Sequence, residues 1–198
     1  MKKTKTKILA VIFTLLSITA TTTATARTLS TPEYGPHIHR LAYFSEKDVL
    51  RMHDGSEWMA ATPNEAYVAY SWQQGDRIII SPNNGFFTSP YYYPFYLTNL
   101  DKDSYIRVSP VASPVLYGEF AYWIQNVNLR LGYLTLAVGQ GGIMTWEISD
   151  YYYNTIENWE PNDHIVIGVY DSYFPSFCSY PYTLINFNKA NFVQARPH

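Results

Sequence analysis

The side chains able to bind metal, move protons or attack a substrate are few: five histidines, sixteen acidic residues and one cysteine in 198 residues. His37-Ile38-His39 on a strand puts two imidazoles on one face, and His53-Asp54 could add ligands, a spacing that a metal site can use. No cysteine or glutamate cluster joins them and His198 is terminal, so they read as incidental surface histidines and no metal site is assigned. Cys178, in Pro175-Ser176-Phe177-Cys178-Ser179-Tyr180, has no charged neighbour to activate its thiol and reads as buried and inert. A hydrolase of wall or host glycans would use carboxylates such as Glu119, Glu147 or Asp150. No Ser-His-Asp order, HExxH, GxSxG or matched carboxylate pair supports that chemistry, so no catalytic residue and no cofactor is assigned.

Tyrosine is the abundant functional side chain, with nineteen copies in a chain that is 17% aromatic. The runs Tyr91-Tyr92-Tyr93-Pro94-Phe95-Tyr96 and Tyr151-Tyr152-Tyr153, placed on strands, must send rings to both faces, so some phenols face solvent. Exposed tyrosines give large contact area at low rotamer cost, as interaction surfaces and sugar-stacking grooves require. Tyr91, Tyr92, Tyr151, Tyr152 and Tyr153 are therefore the candidate binding residues. The competing reading is edge-strand rings lying flat over a thin core.

An internal repeat supplies the elements that must position these residues. Trp72-Gln73-Gln74-Gly75-Asp76-Arg77-Ile78-Ile79-Ile80 matches Trp159-Glu160-Pro161-Asn162-Asp163-His164-Ile165-Val166-Ile167 at an offset of 87. The same offset carries Tyr93, Pro94, Leu97 and Asn99 onto Tyr180, Pro181, Leu184 and Asn186, giving twelve identities in 39 positions over 72–110. Chance would give about two or three. Upstream, Asp54-Gly55-Ser56-Glu57-Trp58 aligns with a one-residue slip to Gly142-Ile143-Met144-Thr145-Trp146, keeping the tryptophan while the turn is rebuilt.

The shared positions have structural readings. Gly75 and Asn162 tolerate positive φ, and Asp76 and Asp163 can bind their own turn amides. Trp58, Trp72, Trp146 and Trp159 read as core, each ring able to bury about 150–250 Å². Within each copy the hydrophobic period is two. Val127, Leu129, Leu131 and Tyr133 alternate with Asn128, Arg130 and Gly132, and helical turns fit only 63–70 and 150–158. The expected fold is all-β, two tandem small barrels or sandwiches related by duplication.

The chain ends add a destination. Lys2, Lys3, Lys5 and Lys7 precede an apolar run from Ile8 to Leu16, and Ala24-Thr25-Ala26 offers a signal-peptidase site, so residues 1–26 read as a cleaved leader. The remaining organisation reads as an irregular lead-in over 27–36, one module over 37–110, a joint at 111–114 and a second module over 115–198. Cleavage leaves ten basic against sixteen acidic residues, a net charge of −6, without the clustered Lys and Arg that nucleic acid demands. The expected product is exported to the periplasm, cell envelope or outside, with no transmembrane helix after cleavage.

The Asp54-Gly55-Ser56-x-Trp58 turn, the Trp72-x-x-Gly75-Asp76 motif with its Ile-rich strand, and the closing Tyr-Pro-x-x-Leu-x-Asn pattern together resemble small exported β modules of uncharacterised bacterial proteins, including those of chlamydia-like intracellular bacteria. The resemblance covers most of the mature chain and implies no catalytic residues. The function expected is a non-enzymatic exported binding module that meets an envelope or secreted protein or glycan through tyrosine-rich surface. An envelope or host glycan hydrolase or glycan-binding protein is one alternative. A small outer-membrane barrel is another, against which most apolar runs break at Pro or Gly after five or six residues, short of the roughly 9–11 that spanning needs.

Overall fold

The structure, a computed structural model, describes residues 35–45, 47–83, 93–170 and 178–198. The expected leader over 1–26 and the candidates Tyr91 and Tyr92 lie outside them. The first half forms β1 (His39–Phe44), β2 (Val49–Met52), β3 (Glu57–Ala60), α1 (Pro63–Ala69), β4 (Arg77–Pro82), β5 (Phe95–Asn99) and β6 (Ser104–Ala112). The second forms β7 (Tyr122–Asn128), β8 (Tyr133–Val138), β9 (Ile143–Ile148), a 3₁₀ turn (Asp150–Tyr152), α2 (Tyr153–Ile156), β10 (His164–Val169), β11 (Tyr182–Asn186) and β12 (Asn191–Pro197). The fold is all-β, two closed antiparallel barrels of six strands with the same order, β1-β2-β3-β6-β5-β4 and β7-β8-β9-β12-β11-β10.

Alternation explains closure. In β5 Phe95, Leu97 and Asn99 point inward while Tyr96 and Thr98 do not, and closing the sheet on such a face leaves no edge for another chain to pair with. Leu50, Trp58, Leu97 and Ile106 fill the first barrel, and Leu134, Trp146, Leu184 and Val193 the second. The duplication reaches register: Pro110 pairs with Trp58, and its counterpart Pro197 pairs with Trp146. α1 begins on the N-cap Thr62, whose hydroxyl accepts the Glu65 amide and donates to the Glu65 carboxylate.

One alignment requires correction. The β2–β3 turn closes with Met52 N donating to Ser56 O at 2.9 Å, and the β8–β9 turn with Val138 N donating to Gly142 O at 3.1 Å. Leu50 opposite Trp58 corresponds to Leu134 opposite Trp146, so the second hairpin is longer by two residue pairs. Met144, rather than a turn residue, therefore stands two positions before Trp146, where Ser56 stands before Trp58. The one-residue slip aligned the tryptophans and missed this extension.

The barrels are packed together. β4 and β10 are buried on both faces: Ile78 and Ile80 fill the first barrel, Ile165 and Ile167 the second, and Val166 joins the first barrel's core. A Cβ on Gly168 would strike the Ile80 carbonyl oxygen, so glycine lets the two strands approach. Phe187 and Phe192, flanking the β11–β12 turn, meet Trp58 and Phe95 of the first barrel at 5.2 and 5.9 Å between ring centroids. Their counterparts Leu100 and Tyr105 make no equivalent contact among the described residues, and Tyr105 is 65% exposed. Charge accounts for the asymmetry, because Asp101 and Asp103 flank Lys102 where Asn188 and Ala190 flank Lys189. Docking the first turn would desolvate two carboxylates.

Candidate functional site

The repeated polar residues build one network twice. Asp76 Oδ2 accepts the Gln73 amide at 2.9 Å and Asn99 Nδ2 at 2.7 Å; Asp163 Oδ2 accepts the Glu160 amide at 3.0 Å and Asn186 Nδ2 at 2.8 Å. The Asn99 side-chain oxygen accepts the amides of Asp101 and Lys102, and that of Asn186 the amides of Asn188 and Lys189. Gly75 and Asn162 hold φ of 90° and 71°, which delivers each aspartate to its turn. The indoles are anchored alike, Trp72 Nε1 donating to Ser104 Oγ and Trp159 Nε1 to Asn191 Oδ1. These buried carboxylates bind backbone and amide donors, an arrangement that fixes turns and offers nothing to a substrate.

The histidines differ from expectation. His37 and His39 are 0% and 7% exposed rather than on the surface, because the second barrel covers them. His39 donates Nε2–H to the Ile167 carbonyl at 2.8 Å, and its Nδ1 stands 3.7 Å from Asp54 Oδ2. Asp54 Oδ1 accepts the Ser56 amide at 2.8 Å and the Ser56 hydroxyl at 2.7 Å. The chain of contacts thus runs serine, aspartate, histidine, with the carboxylate rather than the imidazole against the hydroxyl, unlike a nucleophilic triad. Ser56 Oγ also accepts Trp58 Nε1 at 3.0 Å; with Met144 in that place, Trp146 Nε1 is buried with no partner among the described residues.

A crevice of about 150 Å³ between the barrels is lined by His39, His53, Asp54, Glu119 and Tyr122 among others. Burial, with the Asp54 charge, pushes the Tyr122 phenol up. Among the described residues no three His, Cys, Asp or Glu side chains are grouped so that they could hold a metal ion.

The tyrosine run 151–153 lies on the 3₁₀ turn and the start of α2, inside the helical segment expected over 150–158 and not on a strand, so its rings fan out by helical rotation instead of alternating. Tyr151 is 83% exposed. Tyr152 meets it edge-on with centroids 5.0 Å apart, and its other side packs on the second barrel's core, as does Tyr153. The run replaces Asn64-Glu65-Ala66 of the first copy. There Glu65 binds Arg107 at 2.7 Å, whereas the second copy has Tyr152 and Gln194 at those positions.

Burial pushes the Tyr152 phenol up, with smaller contributions from Tyr170, Tyr151 and Cys178. The half-buried Cys178 thiol donates to the Tyr180 carbonyl at 3.1 Å. Tyr180 Oη donates to Glu147 at 3.0 Å, and Arg196 lies 5.2 Å from the Tyr180 ring centroid while binding Glu147 at 2.7 Å. The Arg196 hydrogen bonds hold the Glu147 carboxyl below its ordinary range. Of the carboxylates considered for hydrolysis, Glu147 is thus committed to an ion pair, and Glu119 lines the crevice beside Asp54 instead.

Sequence reasoning passed over Tyr67, Tyr105 and Tyr117, which are 79%, 65% and 64% exposed. Tyr105 could have been found from the alternation before buried Ile106, while Tyr67 needed the helical phase of α1. A larger cleft of about 810 Å³ opens beside the β11–β12 turn, lined by Phe95, Pro110, Val111, Thr155, Phe187 and Phe192 with asparagines at its edge, and no charged residue lines it among those described. No described helix is long and apolar enough to cross a membrane. Comparison of the chain with protein-family models, curated proteins and solved structures found no match to any of them.

Proposed function

We propose that the mature chain is an exported, non-enzymatic binding protein that meets an envelope or secreted protein through the tyrosine surface of its second barrel. The observation that carries this reading is Tyr151, 83% exposed yet backed edge-on by a half-buried Tyr152 at 5.0 Å. A preordered ring needs little further ordering when a partner arrives, so its apolar area counts more fully toward affinity. Tyr180, Glu147 and Arg196 add an aromatic face and an ordered ion pair to the same barrel. The lysine-rich leader, its apolar run and Ala24-Thr25-Ala26 support export. Photo-cross-linking from position 151 of the tagged mature chain in its native envelope should recover a reproducible protein partner; recovery of none removes the support for this reading.

A glycan partner is the second reading, favoured by the uncharged cleft of about 810 Å³, whose lining mixes phenylalanine rings with asparagine amides. A panel of wall and host glycans tests it. Binding weakened by Phe192→Ala supports it, and uniform absence of binding rejects it.

A further inference from the structure

His37 is fully buried, and neither of its ring nitrogens has a hydrogen-bond partner among the described residues. A phenyl ring would fill similar space without drying two polar atoms. The segment around it is tightly folded: Ile38 N donates to Gly35 O at 3.0 Å, and a Cβ on Gly35 would strike the imidazole. His37 faces the second barrel's Tyr182, ring centroids 5.3 Å apart, and two residues on His39 donates to the Ile167 carbonyl. Residues 35–39 thus run from the first strand of one barrel across to the other.

The duplication shows what they cover. Tyr182 is the counterpart of Phe95, and each stands edge-on to its barrel's buried tryptophan, Phe95 to Trp58 at 5.6 Å and Tyr182 to Trp146 at 5.3 Å. In the first barrel the rings packed on this pair carry no titratable group, Phe192 on Phe95 and Phe187 on Trp58. In the second the ring packed on Tyr182 is the titratable His37.

We propose that residues 35–39 form an acid-released plug on the Trp146–Tyr182 end of the second barrel, seated while His37 is neutral and expelled when its imidazole takes a proton. The groups around it are His39 and Arg40 on its own strand, His53 and Asp54 from the β2–β3 turn, Glu119 from the connection between barrels, Tyr122 from β7 and Tyr182 from β11. Asp54, the buried anion among them, is committed to Ser56 and lies beside His39. Burial, reinforced by His39, holds the His37 pKa down to about 4 in the seated state. A released His37 titrates near its ordinary value of about 6.5. Opening is therefore favoured by up to about tenfold per pH unit as pH falls from 6.5 to 4, and levels off below. The Phe187 and Phe192 contacts contain no titratable group and keep the barrels joined.

Hydrogen exchange on the mature chain, corrected for intrinsic rates, tests the plug. Protection of 35–39 should fall by roughly tenfold per pH unit between pH 6 and 4 while 79–82, paired to β5, and 182–186, paired to β10 and β12, stay protected. His37→Phe should abolish that fall. Unchanged protection, the same fall in His37→Phe, or loss at 79–82 in step would each overturn the proposal. Should His37→Phe fail to fold, NMR of the His37 ring together with the amides of 35–39 decides: amides that leave their seated shifts in step with ring protonation support the plug, and a ring that protonates while those amides keep their seated shifts overturns it.

Discussion

Asn99 donates its side-chain amide to Asp76 across 2.7 Å, joining the end of β5 to the turn that opens β4, and Asn186 makes the same bond to Asp163 across 2.8 Å. The two buried pairs are the polar counterpart of the paired tryptophans. Each aspartate serves backbone and amide donors at once, which is why it recurs at the same offset.

Asp76→Ala should destabilise the protein by about 2–4 kcal/mol, because it strands the Gln73 amide and the Asn99 side chain in a dry site. Asp163→Ala should cost a similar amount. Urea denaturation followed by tryptophan fluorescence measures both, and a loss below about 0.5 kcal/mol for either would show the network to be dispensable.

This network was legible in sequence because a buried hydrogen bond needs both partners, so Trp72, Asp76 and Asn99 reappear together as Trp159, Asp163 and Asn186. Contacts between the copies were not legible, since the interface uses what the copies do not share: Phe187 and Phe192 against Leu100 and Tyr105, and Gly168 against Ser81. His37 was read as a surface residue for the same reason, its cover being the other barrel. The run 151–153 lies inside the helical segment that the sequence offers over 150–158, and those helical turns, not the alternation of a strand, set which of its rings emerge. Seven residues of α1 are too short for a hydrophobic period to speak clearly, so Tyr67 went unnoticed.

Gly168→Ala should weaken the contact between the barrels more than Gly75→Ala weakens its turn, although both remove a glycine. A Cβ at 168 meets the Ile80 carbonyl, while one at 75 meets nothing and costs only the strain of φ 90°. Phe187→Ala should cost about 1–3 kcal/mol through loss of its packing on Trp58, less than a fully buried ring because Phe187 is only partly buried. Unfolding that separates into two transitions in Phe187→Ala, against one in the parent, would show that this ring couples the barrels; identical single transitions would contradict it.

Stability should fall on acidification in two stages. His37 is depressed to about 4 when folded, so the unfolded chain binds more protons between pH 6.5 and 4, and stability declines through that window by about 2–3 kcal/mol. Glu65 follows: burial raises its carboxyl, but hydrogen bonds from Arg107 and Thr62 outweigh this and hold it below its usual value of 4.5. Its contribution is therefore present above pH 4.5 and lost as pH falls through the lowered folded value. Thermal midpoints from pH 8 to 3 should decline in both windows, with His37→Phe flattening the first and Glu65→Gln making the second shallower, the remainder belonging to Asp101 and Glu147, which are also held low. Parallel curves for parent and variants would refute the assignments.

The surface of the second barrel carries the functional account, and partner recovery by Tyr151→Ala against Tyr67→Ala tests it most directly. Both side chains are strongly exposed, at 83% and 79%, so each loss removes similar surface with little effect on folding. With the tagged mature chain cross-linked in its native envelope, Tyr151→Ala should reduce recovery of the partner about tenfold or more, as loss of an aromatic anchor does, and Tyr67→Ala should leave it unchanged. Equal recovery with both variants, or loss with Tyr67→Ala alone, would contradict the account.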